Sequence, residues 1–281
     1  MINIKEDNNQ WRVEIDEVIK NFLDPADFPL SCILKNLYSD RVIWETKLYP
    51  NTWATYQPSS NTKIIITTSK GKTLKTCSKP HHPGNLTDYL TCFIHSRNLS
   101  KGLILGAGNG EFGEWVPLAN TKQHFCVLVE ADPNHTNILK NTYKNYKNIK
   151  IIDKGVSTKS ETRDFYIAPE GNVSSLLKEN PLNYGYDKDQ IITQKLEFIG
   201  INEILAQEEN IDWIRIDIEG MDYSVITAIE DKYFDQIQYL QYEKINLPPS
   251  QKTDLKSFLE KKGFVLFDEK VNDYDNIAVK I

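Results

Sequence analysis

The chain has 281 residues, 40% of them hydrophobic and 26% charged, which suits one large domain, or a domain with an appendage, around a sizeable core. A formal charge of -6 argues against broad, salt-sensitive contact with phosphate backbones, so no nucleic acid partner is expected. The start lacks the basic and apolar pattern of a signal peptide and no run approaches ~18 apolar residues, so no membrane partner is expected and the cytoplasm is the expected compartment. Cys32, Cys77, Cys92 and Cys126 are scattered without a CxxC, which points to reduced packing thiols rather than a disulfide framework or a structural zinc.

Residues 1–95 are expected to form a small N-terminal α+β extension or cap, placed on the substrate side or serving only to extend or cover a sheet. Ile15, Val18, Ile19 and Phe22 fall at helical spacing and Asp24-Pro25 ends that pattern. Segments 62–68 and 73–77 flank Lys70-Gly71-Lys72 and predict a hairpin. The loop 78–84 (SKPHHPG) carries His81 and His82; His82 is a candidate base because imidazole titrates near neutral pH, although a loop histidine pair is commonly just solvated. A short helix over 85–95 leads toward the first strand of the next region.

From residue 96 the pattern becomes strand, helix, strand. The run 103–105 is a buried strand that breaks into Gly106-Ala107-Gly108-Asn109-Gly110, a turn where backbone must approach a ligand, before a helix begins at Glu111. A second strand over 125–129 ends in Glu130, whose carboxylate suits two ribose hydroxyls. Asp132 and Pro133 open a helix with Ile138, Leu139, Tyr143 and Tyr146 as its apolar face. The third strand, 149–153, ends in Asp153, which suits an adenine amino group or a plain turn.

A strand over 163–168 precedes a Ser, Asn and Gly-rich stretch, through Gly185, expected to loop over the site. After a strand at 196–199 and a helix at 202–208 comes 211–220 (IDWIRIDIEG). As a strand it would put Ile214, Ile216 and Ile218 on one face and Arg215, Asp217 and Glu219 on the other. A helix over 222–229, a strand over 237–243 ending in Glu243, a helix through Leu255, Phe258 and Leu259, and closing strands at 264–267 and 277–281 complete the chain. Residues 96–281 therefore predict an α/β domain, a doubly wound, Rossmann-like, mostly parallel seven-stranded sheet with an antiparallel C-terminal edge.

GAGNG with Glu111-Phe112-Gly113, VEADP at 129–133, DKGVS at 153–157, SSL at 174–176 and IDWIRIDIEGMD at 211–222 resemble the FkbM family of S-adenosylmethionine-dependent methyltransferases, over roughly the last two-thirds of the chain. The resemblance implies S-adenosylmethionine as cofactor. Its methionine part would lie on Gly106, Ala107, Gly108, Asn109 and Gly110, its ribose on Glu130 beside Ala131, and its adenine on the turn of Asp153, Gly155 and Val156. Asp217 would face cofactor and acceptor, with Glu219 and Glu243 on the acceptor side. The chain departs from the family at Ile104, where most relatives carry an aspartate.

The implied reaction is O-methylation of a sugar, glycan or related small-molecule hydroxyl, with a homo-oligomer compatible with the sequence. Such a hydroxyl needs a base; Asp217 is the first candidate, Glu243 the second and His82 a third. Glu219 would orient the hydroxyl or simply cap the helix that starts near Asp222. No metal is expected, a cation on Asp217, Glu219 and Glu243 being the minority alternative. The competing readings are an NAD(P)-dependent oxidoreductase, since Gly108, Gly110 and Gly113 also satisfy GxGxxG, and a non-catalytic cofactor-binding module.

Overall fold

The computed structural model describes residues 2–7, 10–15, 30–36, 42–48, 53–56, 62–70, 73–77, 97, 99–110, 124–169, 173–267 and 274–280. The chain divides into two compact units, Met1–Leu99 and Ser100–Ile281.

The first unit holds two antiparallel sheets. One joins β1 (Ile2–Asp7), β2 (Gln10–Ile15) and β5 (Trp53–Tyr56); the other has the order β4-β3-β6-β7, with β3 at Leu30–Asn36, β4 at Val42–Leu48, β6 at Thr62–Thr67 and β7 at Thr73–Cys77. The expected hairpin is the β6–β7 pair, with a register shift between Ile66 and Thr67. Ile15 is different: it ends a strand instead of starting a helix. The reason is the preceding sequence, where Trp11, Val13 and Ile15 alternate with Gln10, Arg12 and Glu14 at the period of a pleated strand. Val18, Ile19, Phe22, the loop with His81 and His82, the helix expected at 85–95 and Cys92 lie outside the described residues. Cys32 and Cys126 are buried free thiols, as packing cysteines should be, and burial pushes each up to about 12.

The second unit is built on a seven-stranded sheet. Its strands are β8 (Lys101–Leu105), β9 (Phe125–Glu130), β10 (Ile149–Asp153), β14 (Trp213–Ile216), β15 (Tyr239–Glu243), β16 (Phe264–Leu266) and β17 (Asp275–Lys280), in the order β10-β9-β8-β14-β15-β17-β16. The first five are mutually parallel, and β17 runs antiparallel between β15 and β16. This is the doubly wound sheet with an antiparallel edge that the alternating pattern predicts. A smaller sheet, β11 (Gly155–Ser157), β13 (Ile192–Gly200) and β12 (Glu161–Ile167), stands apart from it.

Helices α1 (Pro133–Tyr143), α2 (Glu179–Asn183), α3 (Ile201–Glu208), α4 (Asp222–Ala228), α5 (Asp231–Phe234) and α6 (Pro249–Lys261) accompany these strands. One face of the main sheet, with Leu103, Leu105, Val127, Ile214 and Leu240, packs on Ile204, Val225, Ile226, Leu255 and Leu259 from α3, α4 and α6. Helix α1 begins as expected, Asp132 accepting from the Asn134 backbone N–H at 2.8 Å with Pro133 at the first position. Its buried face is Leu139 and Tyr143, joined by His135 and Thr136, while Ile138 is exposed and Tyr146 lies beyond the helix. Ile138 falls about a hundred degrees from Leu139 around a helical wheel, on the side away from the buried Thr136 and Tyr143.

Trp213 on β14 is fully buried, with its ring lying over Gly102 of the neighbouring strand. Trp213→Ala is expected to lower the stability of the second unit by roughly 3–5 kcal/mol, the scale of deleting a large buried aromatic side chain. Urea unfolding monitored by circular dichroism checks this, and an unchanged midpoint would contradict it.

Candidate functional site

The strand order reverses between β8 and β14, and an open parallel sheet forms a crevice at the carboxyl ends of the strands where this happens. Three segments leave the sheet there: Gly106 after β8, Glu130 at the end of β9 and Asp217 after β14. They are laced by backbone bonds. Gly106 and Ala107 donate to the Val129 carbonyl at 3.0 and 3.1 Å, and Asp217 donates to the Leu105 carbonyl at 3.0 Å. Gly106 has φ +76°, and a Cβ there would sit 1.8 Å from the Asp217 carbonyl oxygen, so no other residue fits where the two chain exits converge. Together they open onto one cleft of about 800 Å³, adjoining solvent included.

One end of the cleft has the character of a nucleoside pocket. Glu130 is only 7% exposed; one carboxylate oxygen accepts from the Gly108 backbone at 2.7 Å and the other from the Asp132 backbone at 2.8 Å. Burial raises its pKa, against the pull of those two amide bonds. Each oxygen keeps a second acceptor position, so the same carboxylate that pins the glycine turn can receive hydroxyls. Gly106, Ala107, Gly108, Ala131, Gly155 and Val156 border the cleft.

Other expected contacts fall elsewhere. Asp153 is absent from the lining: its half-exposed carboxylate takes the Lys140 ammonium at 2.5 Å. Asn109 borders a neighbouring groove with Asp132 and Asn134, and Gly110, at φ +85°, borders neither. Ile104 is buried in β8, opposite Leu128 and Arg215 in register, so the family's acidic position is occupied here by core.

Residues to which the sequence alone gives no cofactor or acceptor role complete the wall. Phe165 from β12 and Phe198 from β13 stand with ring centroids 6.0 Å apart, and Leu176 packs with them. Gly155 is required for this, since a Cβ would meet the Phe198 ring at 2.1 Å. His135 from α1, Arg215 and Met221 also line the cleft. The available signal was the β period of 192–200, which places Phe198 in a strand; nothing local says which cavity that strand borders.

The other end is acidic. One oxygen each of Asp217, Glu219 and Glu243 lie within 4.8 Å of one another, a spacing a divalent cation can also bridge. The route to this cluster differs from strict alternation. β14 ends at Ile216, and Glu219 arrives through a left-handed turn, φ +54°, followed by Gly220 at +95°. Nor do these acids cap α4, whose N-cap is Met221 with no side-chain cap bond.

Asp217 pairs with the buried Arg215 guanidinium at 3.0 Å. Glu219 accepts from the side-chain amides of Asn180 and Asn246, and Glu243 from Asn246, each at 2.9 Å. Below them Asp222, fully buried, accepts from the Glu243 backbone at 3.2 Å. Burial first, and the Asp217 charge second, push Glu219 up to about 7, Asp222 to about 8 and Glu243 to about 9.

An acid whose pKa is higher folded than unfolded holds its proton longer in the native state, so its contribution is complete below the unfolded value and is lost as pH rises through the folded one. For Glu243 that window runs from 4.5 to about 9. Glu243→Gln, which cannot ionise, is therefore expected to flatten the fall in stability across this window, gaining ~1 kcal/mol or more over the parent at the alkaline end. Melting temperatures of both proteins across pH check it, and parallel curves would contradict it.

The family model described as the methyltransferase FkbM domain matches residues 105–266, which contain the glycine turn, Glu130 and all three clustered acids. No curated protein matches the chain. Among solved structures, the methyltransferase FkbM from Methylobacillus flagellatus KT is similar at 13% identity and a TM-score of 0.45, covering 65% of this chain, which spans 44% of that protein. A caffeoyl-CoA O-methyltransferase assigned in Staphylococcus aureus is similar at 12% identity and a TM-score of 0.41, over 72% of this chain and 86% of that one. The fibrillarin pre-rRNA processing protein of Methanococcus jannaschii matches at 14% identity and a TM-score of 0.41, over 100% of this chain and 98% of that one. The family match, which takes in more than half of the residues, carries the assignment: this chain belongs to the FkbM family of S-adenosylmethionine-dependent methyltransferases.

Proposed function

We propose that the protein is an O-methyltransferase that uses S-adenosylmethionine to methylate a hydroxyl of a sugar, glycan or related small molecule. The observation that carries this reading is that Gly106, Glu130, Asp217 and Glu219 line one cleft, with a nucleoside-like end and an acidic end. The residues fit the cofactor. Phe165, Phe198, Leu176 and Val156 offer an apolar wall for a flat base, Glu130 an acceptor for ribose hydroxyls, and the turn from Gly106 to Gly108 an uncrowded backbone. Bound there, S-adenosylmethionine supplies a methyl group on a positively charged sulfur, which is already reactive toward an oxygen nucleophile.

The protein's work is then alignment and proton removal. Negative charge from Asp217 favours a cation in the cleft, and its pairing with Arg215 keeps that charge from growing so large that it holds the ground state more tightly than the transition state. Asp217 and Glu219, the clustered carboxylates that line the cleft, are the groups placed to accept the hydroxyl proton. Among the described residues, no helix is long and apolar enough to cross a membrane, and a cytoplasmic small-molecule enzyme is the setting we infer.

Calorimetry with S-adenosylmethionine and separately with NAD is the first test: saturable binding of the former alone is expected, and binding of NAD alone would overturn the reading. Glu130→Ala is expected to weaken cofactor binding by roughly 1.5–3 kcal/mol, the scale of hydrogen bonds to a charged group. Unchanged affinity would remove Glu130 from the ribose site. Transfer of labelled methyl to a panel of methyl glycosides tests the acceptor class, and labelling only of amines or thiols would contradict it.

A further inference from the structure

The three clustered acids are not equivalent in what holds them. Asp217 gives one oxygen to the Arg215 guanidinium. Glu243 shares Asn246 with Glu219 and sits over the buried Asp222 through its own backbone N–H. Glu219 alone has one oxygen, Oε2, that accepts from two side-chain amides, Asn180 and Asn246. Its backbone is held as well: the Ser175 hydroxyl donates to the Glu219 carbonyl at 2.9 Å while accepting from the Leu177 backbone at 3.0 Å. A glutamate at φ +54° is a conformation that L side chains avoid, and it persists here because Ser175, Asn180 and Asn246 hold it from other segments.

We propose that Asn180 and Asn246 are positioning residues for the acceptor: their amides fix Oε2 of Glu219 and leave Oε1 to take the proton of the acceptor hydroxyl, which makes Glu219 rather than Asp217 the base. In the step, the hydroxyl oxygen forms the new bond to the methyl carbon as the carbon–sulfur bond breaks, and its proton passes to Glu219, so charge and atoms balance. This rests on the methyltransferase reading above. An amide clamp of this kind lowers the entropy lost on aligning a base, since a glutamate otherwise samples several rotamers.

The surroundings of Glu219 suit the assignment. Asp217 faces it from beyond β14 and Glu243 from the end of β15, with Asp222 beneath them at the start of α4 and Arg215 paired to Asp217. Tyr184, beyond α2, hydrogen-bonds the Asn246 side chain, and partial burial together with these acids raises its pKa, so it stays a phenol. Burial and Asp217 push Glu219 up toward neutrality while both amides pull it back, to about 7. A carboxyl titrating in that range is present in both its ionised and protonated forms near neutral pH, which suits a group that must accept a proton and later release it. Burial and the neighbouring acids push Glu243 higher still, to about 9.

The test is carboxyl-carbon NMR titration of glutamate-labelled full-length protein from about pH 5 to about pH 9, with the Glu219 resonance assigned by its loss in Glu219→Gln. Removing an amide that favours the charged form must raise the pKa, so Asn246→Ala and Asn180→Ala are each expected to move the Glu219 midpoint upward by roughly half a unit or more. Calorimetric affinity for S-adenosylmethionine should stay within about twofold in both, because neither asparagine lines the cofactor end. A midpoint that does not move in either variant overturns the clamp even where cofactor binding is intact. If S-adenosylmethionine fails to bind the parent protein, the methyltransferase reading falls, while the titration still decides the clamp. Methyl transfer retained in Glu219→Gln and lost in Asp217→Asn would return the base to Asp217.

Discussion

The site depends on the convergence of two strand exits. Where β8 and β14 leave the sheet, their backbones come so close that a methyl group at Gly106 would overlap the carbonyl of Asp217. That contact forces the glycine and sets the left-handed bend of the turn, and it brings the acid-bearing loop alongside the glycine loop. Parallel strands alone only aim their carboxyl ends in one direction; the reversal of strand order between β8 and β14 opens the crevice there. Everything chemical in the molecule's described residues is hung on the rim of that crevice.

Two kinds of polar group line the rim, and their physics differs. Glu130 is buried but paired to two backbone amides, which offset part of its desolvation and lock the glycine turn to the start of α1. The acids at the other end crowd each other, with Asn246 joining two of them and Arg215 balancing a third. Such crowding costs stability at alkaline pH and is tolerated where a reaction needs a proton acceptor tuned toward neutrality. The small sheet adds what neither loop can: its phenylalanines close the apolar side of the cleft.

Much of this was legible in the residues. The alternation of strands and helices fixed the sheet, and the glycine turn, Glu130 and Asp217 could be placed at strand ends because an apolar run followed by a turn or an acid marks where a parallel strand stops. The extent of β14 was harder to read. IRIDIEG alternates perfectly on paper, yet the paired register with both neighbouring strands ends at Ile216, one last bond running from the Asp217 N–H to the Leu105 carbonyl, and the last acid turns back through a conformation that no composition signals. Asn180 and Asn246 carry no local signature, because loop asparagines are common and their value comes from what lies across from them. Ile15 misled because it closes a six-residue strand and also satisfies a helical spacing with the residues after it.

The most direct measurement is diffraction from crystals of the full chain grown with S-adenosylhomocysteine, the product form of the cofactor. Ribose hydroxyls on the Glu130 carboxylate, the base against Phe165 and Phe198, and the sulfur on the side of Asp217 and Glu219 are the expected result. A ligand bound away from the Gly106 turn, or one whose ribose leaves Glu130 to its two backbone amides alone, would contradict it.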